Sequence, residues 1–254
     1  MTKTPFCCVH FPNFRLQVAE CRYPILVGKP FALALHISDP NERIEALSLA
    51  ARRLRIPPAS RVGDIQAGWP QVPILVPDQE GEERLQHQIL SIADSQCPTH
   101  FWEHDTLIMD LKGTERLHGP DRQAWARRFL ERVGKEVGLP HFYGAVANTR
   151  NTAELLARAS RSILPVMCTA GQERNVLSKI PLRKLDYLMP RLHIRFRLHQ
   201  LHTLGDLQHL DRKYLQTKFG AEGEQLYAMS QGLELIRNEA KPETSLPQID
   251  LFHC

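Results

Sequence analysis

The sequence predicts a mixed α/β fold of the α+β kind, and three features point to it. Between residues 100 and 160, short apolar runs alternate with stretches whose apolar residues recur at helical spacing. A further apolar run, "PFCCVHF", stands near the start of the chain and closes on Pro12. From about residue 173 to 235 the pattern is helical. A sheet covered by helices, with a separate helical unit, satisfies all three.

"PFCCVHF" reads as a buried strand. Residues 43–55, "RIEALSLAARRLR", predict a basic amphipathic helix with Ile44, Leu47, Ala51 and Leu54 on one face. The turn-rich "IPPASRVGDIQAGWPQVP" ends that small unit. "EERLQHQILSIAD" places Leu85, Ile89 and Ile92 at helical spacing. "DTLIMDL" reads as a strand, and "DRQAWARRFLERVGKEVG" as a helix burying Trp125, Phe129, Val133 and Val137. "HFYGAVA" is a second strand and "NTAELLARAS" another helix. With the first strand this is the order of a ferredoxin-like split βαβ unit. "SILPVMCTAGQERN" is read as a linker into the helical unit, and "NEAKPETSLPQIDLFHC" as a polar, proline-punctuated tail.

Composition narrows the function classes. With 254 residues, 43% of them hydrophobic and 24% charged, the chain can bury two or three modest cores. It has no apolar run of the roughly 20 residues that span a bilayer. No secretory signal opens it. Six cysteines without a CxxC pair are expected to be reduced thiols in a cytosolic protein. The net charge of +4 is mild. The distribution is less so: between Lys179 and Gln200, six cations (Lys179, Arg183, Lys184, Arg191, Arg195 and Arg197) face one acid, Asp186. Such a stripe suits sequence-independent phosphate contact, or is simply a solvated face.

The stretch "EHDTLIMDLKGTERLHG" raises the question of a metal site. Consecutive strand residues point to opposite faces, so Asp105 and Asp110 cannot share a face of one regular strand. Two-metal phosphoryl transfer needs carboxylates converging from adjacent strands on ions about 3.5–4 Å apart. The first strand ends in Val9-His10-Phe11-Pro12-Asn13, which carries no carboxylate. A lone Asp105 is more often a strand-end or capping group than a ligand. No cysteine or histidine stands at recognised zinc spacing, so a zinc site of His10 with His100 or His104 is not expected.

"DTLIMDLKGTERLHG" resembles the second palm motif of Y-family (translesion) DNA polymerases. On that register Asp105 matches the catalytic aspartate, Thr106 replaces the catalytic glutamate, and Asp110 matches a structural aspartate. "HFPNFRL" resembles the first motif, with His10 in place of its metal-binding aspartate and Arg15 at the steric gate. "LAARRLRIPPAS" resembles the fingers motif and keeps Ala51 and the triphosphate-contacting Arg52, whereas Leu49 replaces a tyrosine. "GAVANTRNTAELLARAS" resembles a further palm segment with Thr149 in place of a lysine. "LHTLGDLQHLDRKYLQTKFG" resembles the thumb motif.

The resemblance implies a ferredoxin-like palm (1–13 and 74–166), small fingers (14–73), a thumb with a degenerate helix-hairpin-helix (167–235), and no complete little-finger domain. The departures fall at the catalytic positions, as in ImuB-type accessory proteins. Neutral imidazole is a poor Mg²⁺ ligand and Thr106 brings no charge, so no metal, no cofactor and no polymerase activity are expected. The alternative is residual nucleotidyl transfer with Mg²⁺ on Asp105 and a shifted carboxylate, Glu103 or Asp110.

Implied partners are DNA, a catalytic translesion polymerase and a RecA-like accessory protein, in a cytoplasmic, nucleoid-associated setting without a membrane. "QIDLF" (248–252) resembles a sliding-clamp peptide in which Leu251 and Phe252 fill an apolar pocket and the Gln248 amide fixes register.

Overall fold

A computed structural model describes residues 5–119 and 121–234. β1 (Phe6–His10) leads into α1 (Phe14–Arg22). β2 (Ala32–Leu33), β3 (Ala46–Leu47), α2 (Leu49–Arg53), α3 (Val62–Gly68) and β4 (Ile74–Leu75) follow. Next come α4 (Gln79–Asp94), β5 (His100–Glu103), β6 (Thr106–Asp110), α5 (Glu115–His118), α6 (Arg122–Val137), β7 (Tyr143–Ala147), α7 (Arg150–Ala159) and β8 (Val166–Met167). The chain continues through α8 (Glu173–Ser178), α9 (His193–Leu198), α10 (Leu204–Gln208), α11 (Arg212–Phe219) and α12 (Ala221–Gln231).

The large sheet has the order β5-β6-β1-β7-β8, and β1 pairs antiparallel with both β6 and β7. Alternation along β1 sends Cys7 and Val9 into a core shared with α4 and α6, and Cys8 to the opposite face. That second face is continuous with α7 and with the C-terminal helices, where Leu177, Leu207, Phe219 and Leu226 belong to the same core as Cys8 and Ile108. A small three-stranded sheet, β3-β2-β4, has its own two clusters. α1 serves both regions: Phe14 and Val18 join the large core, while Leu16 and Ala19 pack on Phe31 and Leu33.

Caps mark the helices that periodicity predicts. Asp78 accepts from the Gly81 amide at α4, Asp121 from Ala124 at α6, and Thr149 from Thr152 at α7. Gly138, at φ 73°, ends α6 in the left-handed conformation that glycine adopts without strain.

Three expectations need correction. The helix predicted over 43–55 starts only at Leu49. The Ser48 hydroxyl takes the Ala51 and Phe31 amides, so the segment before it pairs with β2, and Arg55 at φ 60° ends the helix. The segment read as a linker contains β8, which pairs parallel with β7. Asp105 is not in the strand: His104 (φ 48°) and Asp105 (φ 56°) form a two-residue turn joining β5 to β6, with Glu103 opposite Thr106.

Candidate functional site

His10 ends the central strand, opposite Thr106 on one side and Tyr143 on the other. Residues directly opposite in an antiparallel ladder share a face, so the register brings His10 and Thr106 together. The His10 Nδ1 lies 3.1 Å from the Thr106 hydroxyl and 3.1 Å from the Asp105 carbonyl oxygen. A carbonyl only accepts, so Nδ1 carries the proton and donates. The Thr106 hydroxyl donates in turn to the His104 carbonyl at 3.2 Å. Burial, reinforced by Arg158 and Lys184, pushes the His10 pKa down to about 3. The imidazole is therefore neutral at ordinary pH.

Asp105 has a structural occupation. The Phe14 amide at the start of α1, where Asn13 makes no side-chain cap, is close enough to its carboxylate to favour the charged form, and its carbonyl accepts from the Phe11 amide at 2.8 Å. Burial raises its pKa, offset by Arg158, the Phe14 amide, Arg15 and His104. Asp105→Ala is expected to lower unfolding free energy by about 0.3–1 kcal/mol, the worth of a carboxylate beside a helix N-terminus. Denaturant titration of the variant measures this; an unchanged midpoint would contradict that role.

The other acidic candidates are engaged elsewhere. Asp110 lies four residues along β6 from Thr106, roughly 13 Å at strand rise, and its carboxylate accepts from the Lys112 amide. Separation rather than strand parity keeps it from Asp105. Glu103 is ion-paired with Arg150, whose guanidinium stacks on Phe101. Among the described residues no group of three or more His, Cys, Asp or Glu side chains could hold a metal ion. The residues present do not fit a pair of Mg²⁺ ions: the His10 imidazole is already hydrogen-bonded, Thr106 offers only a buried hydroxyl, and Asp105 is a single carboxylate.

Arg15 bridges Glu45 at 2.7 Å and Glu82 at 3.1 Å, tying the small sheet region to α4 across α1. Arg52 donates to the Leu47 carbonyl and to Asn13 Oδ1, so its guanidinium is tethered beside the β1–α1 turn. Thr149 acts as the N-cap of α7.

Of the six C-terminal cations, Lys179, Arg183, Arg191, Arg195 and Arg197 are exposed. Arg195 and Arg197 project from α9 around the buried Phe196, beside exposed Ile194 and Leu198. Lys184 is different: it is half-buried and donates to the Arg158 carbonyl at the end of α7, so it is part of the interior junction. Gln248, Leu251 and Phe252 lie outside the described residues.

Sequence reading missed Arg158, Glu154 and Tyr187. Glu154 and Arg158, at i and i+4, form an ion pair at 3.2 Å with side chains 0% and 8% exposed. Opposite charges at that spacing in the apolar helix "NTAELLARAS" were the available signal.

Residues 9–158 match the impB/mucB/samB family. The chain is 23% identical over 230 residues to DNA polymerase IV of Clostridium kluyveri, covering 87% of this chain and 55% of that protein. It is 24% identical to DNA polymerase IV 1 of Halalkalibacterium halodurans, covering 89% and 54%. The chain thus spans about half the length of these curated relatives. Its fold is similar to that of DinB from Sulfolobus solfataricus, with a TM-score of 0.75 at 16% identity over 92% of this chain and 69% of that one. A Y-family polymerase chimera, Dbh-Dpo4-Dbh, matches with a TM-score of 0.73 at 15% identity, covering 93% and 70%. The palm, fingers and thumb arrangement of that fold is the one observed here.

Proposed function

Because the chain belongs to the impB/mucB/samB family of Y-family polymerases, we propose that it is a non-catalytic, ImuB-type member acting as a scaffold in DNA damage tolerance. The hydrogen bond between His10 and Thr106 carries this reading. It joins two neutral side chains at the positions where the family holds metal-binding carboxylates. Relatives bearing the name DNA polymerase IV favour the other reading, a residual metal-dependent nucleotidyl transferase, and primer extension separates the two.

DNA is the assigned partner, held by side-chain charge on the C-terminal helical unit. Each phosphate neutralised adds about 0.9 to the slope of log affinity against log salt. Changing Arg191, Arg195 and Arg197 together to Ala is expected to reduce that slope by about 2–3. An unchanged slope would remove these residues from the interface.

Residues 248–252 are assigned to a sliding clamp, on the strength of the peptide "QIDLF". Clamp affinity is expected to fall at least about tenfold with Leu251→Ala and Phe252→Ala together, since two buried apolar anchors are lost. Equal affinity would contradict the docking role. A catalytic translesion polymerase and a RecA-like protein complete the proposed assembly, in a cytoplasmic, nucleoid-associated setting. No described helix is long and apolar enough to cross a membrane.

A further inference from the structure

We propose that Arg158 is the resident cation of the degenerate site: its guanidinium fastens the β5–β6 turn to α7 and to the thumb, and its charge excludes divalent ions. The inference rests on the metal-free reading above and adds a cause that missing ligands alone do not supply.

The geometry is that of a three-way clamp. Arg158 Nε donates to the buried Glu154 carboxylate one helical turn back. Its NH2 donates to the His104 carbonyl, the same oxygen that accepts from Thr106. The guanidinium lies over the Tyr187 ring, 3.6 Å from its centroid. Tyr187 belongs to the thumb and meets the His104 ring edge-on at 5.6 Å. Lys184, also from the thumb, donates to the Arg158 carbonyl. One side chain therefore touches the turn that carries Asp105, the helix behind the sheet, and Tyr187 of the thumb. A planar guanidinium with several donors and a stacking face suits such a junction, whereas an ammonium does not.

Charge follows from the same contacts. Arg158 acts on both His10 and Asp105, and Arg15 acts on Asp105 from the side of α1. Lys184 adds a second positive group on the thumb side, with Arg161 and Arg183 close enough to act on it. Glu154 offsets part of the Arg158 charge, and Glu45 and Glu82 offset that of Arg15. A divalent ion beside Asp105 would enter a site already supplied with fixed positive charge. Rebuilding the lost carboxylates would then leave an obstacle in place.

The test is Mn²⁺ binding, read by electron paramagnetic resonance, in three proteins. Wild type is expected to bind none at the site. H10D/T106E is expected to bind weakly, and H10D/T106E/R158M at least tenfold more tightly. Equal affinity in the double and triple variants would overturn the role of Arg158. Tight binding by the wild type would instead overturn the metal-free reading.

Because Glu at position 106 enters a buried position, a second experiment uses R158K alone, which keeps the charge on Glu154 without the planar fork. The Phe11 amide, which donates to the Asp105 carbonyl, is expected to exchange hydrogen at least tenfold faster in R158K. Unchanged protection would overturn the clamp.

Discussion

Primer-template DNA incubated with the protein, Mg²⁺ and all four deoxynucleoside triphosphates is expected to remain unextended. Phosphoryl transfer leaves the protein little covalent chemistry to perform, so catalysis rests on positioning and charge stabilisation by the ions. In the proposed register His10 and Thr106 stand at two of the three ligand positions, and both are neutral and hydrogen-bonded to each other. A single preorganised charge-stabilising group is worth about 10²–10³ in rate, so if that register holds, incorporation is expected to be lower by roughly 10⁴-fold or more. Substituting Mn²⁺ should not rescue it. Incorporation that requires metal and disappears in Asp105→Ala would favour the enzymatic reading. Lost extension alone would not suffice if the variant were unfolded, so its denaturant midpoint belongs beside the assay.

The second large effect concerns acid. Folded His10 titrates at about 3, far below the ordinary 6.5 that it regains on unfolding. As pH falls below 6.5 the unfolded chain takes up the proton first. The stability associated with neutral His10 is complete above pH 6.5 and is lost progressively towards pH 3, at about 1.4 kcal/mol per unit. Over the whole window that is on the order of 5 kcal/mol. Asp105 from the hairpin, Arg158 from α7 and Lys184 from the thumb all face the ring, and the raised Asp105 pKa works in the opposite direction. Comparing wild type with His10→Asn isolates the histidine, because Asn keeps a donor for the Asp105 carbonyl and does not titrate. Unfolding free energies measured from pH 7 to pH 4 should converge as the pH falls, the wild type losing more. Parallel profiles would contradict the burial and charge assigned to His10.

Much of the framework was legible because its elements are periodic and capped. α4, α6 and α7 present apolar residues at helical spacing behind Asp78, Asp121 and Thr149. β1 and β7 read as strands from their apolar runs. The small sheet was not legible: its strands are two residues long, too short for any alternation to register. The β5–β6 turn was also hidden, since it uses His104 and Asp105 at positive φ rather than an Asn-Gly or Asp-Gly pair.

The site divides in the same way. His10, Asp105 and Thr106 were found from motif register, and the sheet brings them together. The bond from the Phe11 amide to the Asp105 carbonyl requires the fold, as does the stacking of Arg158 on Tyr187. These contacts join residues far apart in the chain, and no local pattern encodes them.

On this reading the end of β1 and the adjoining turn do not gather catalytic metal ions. Anomalous scattering from manganese tests it directly, in crystals grown with primed DNA, a terminated primer and an incoming triphosphate. No manganese peak is expected beside the Asp105 carboxylate. Two peaks about 3.5–4 Å apart between Asp105 and the end of β1 would contradict it.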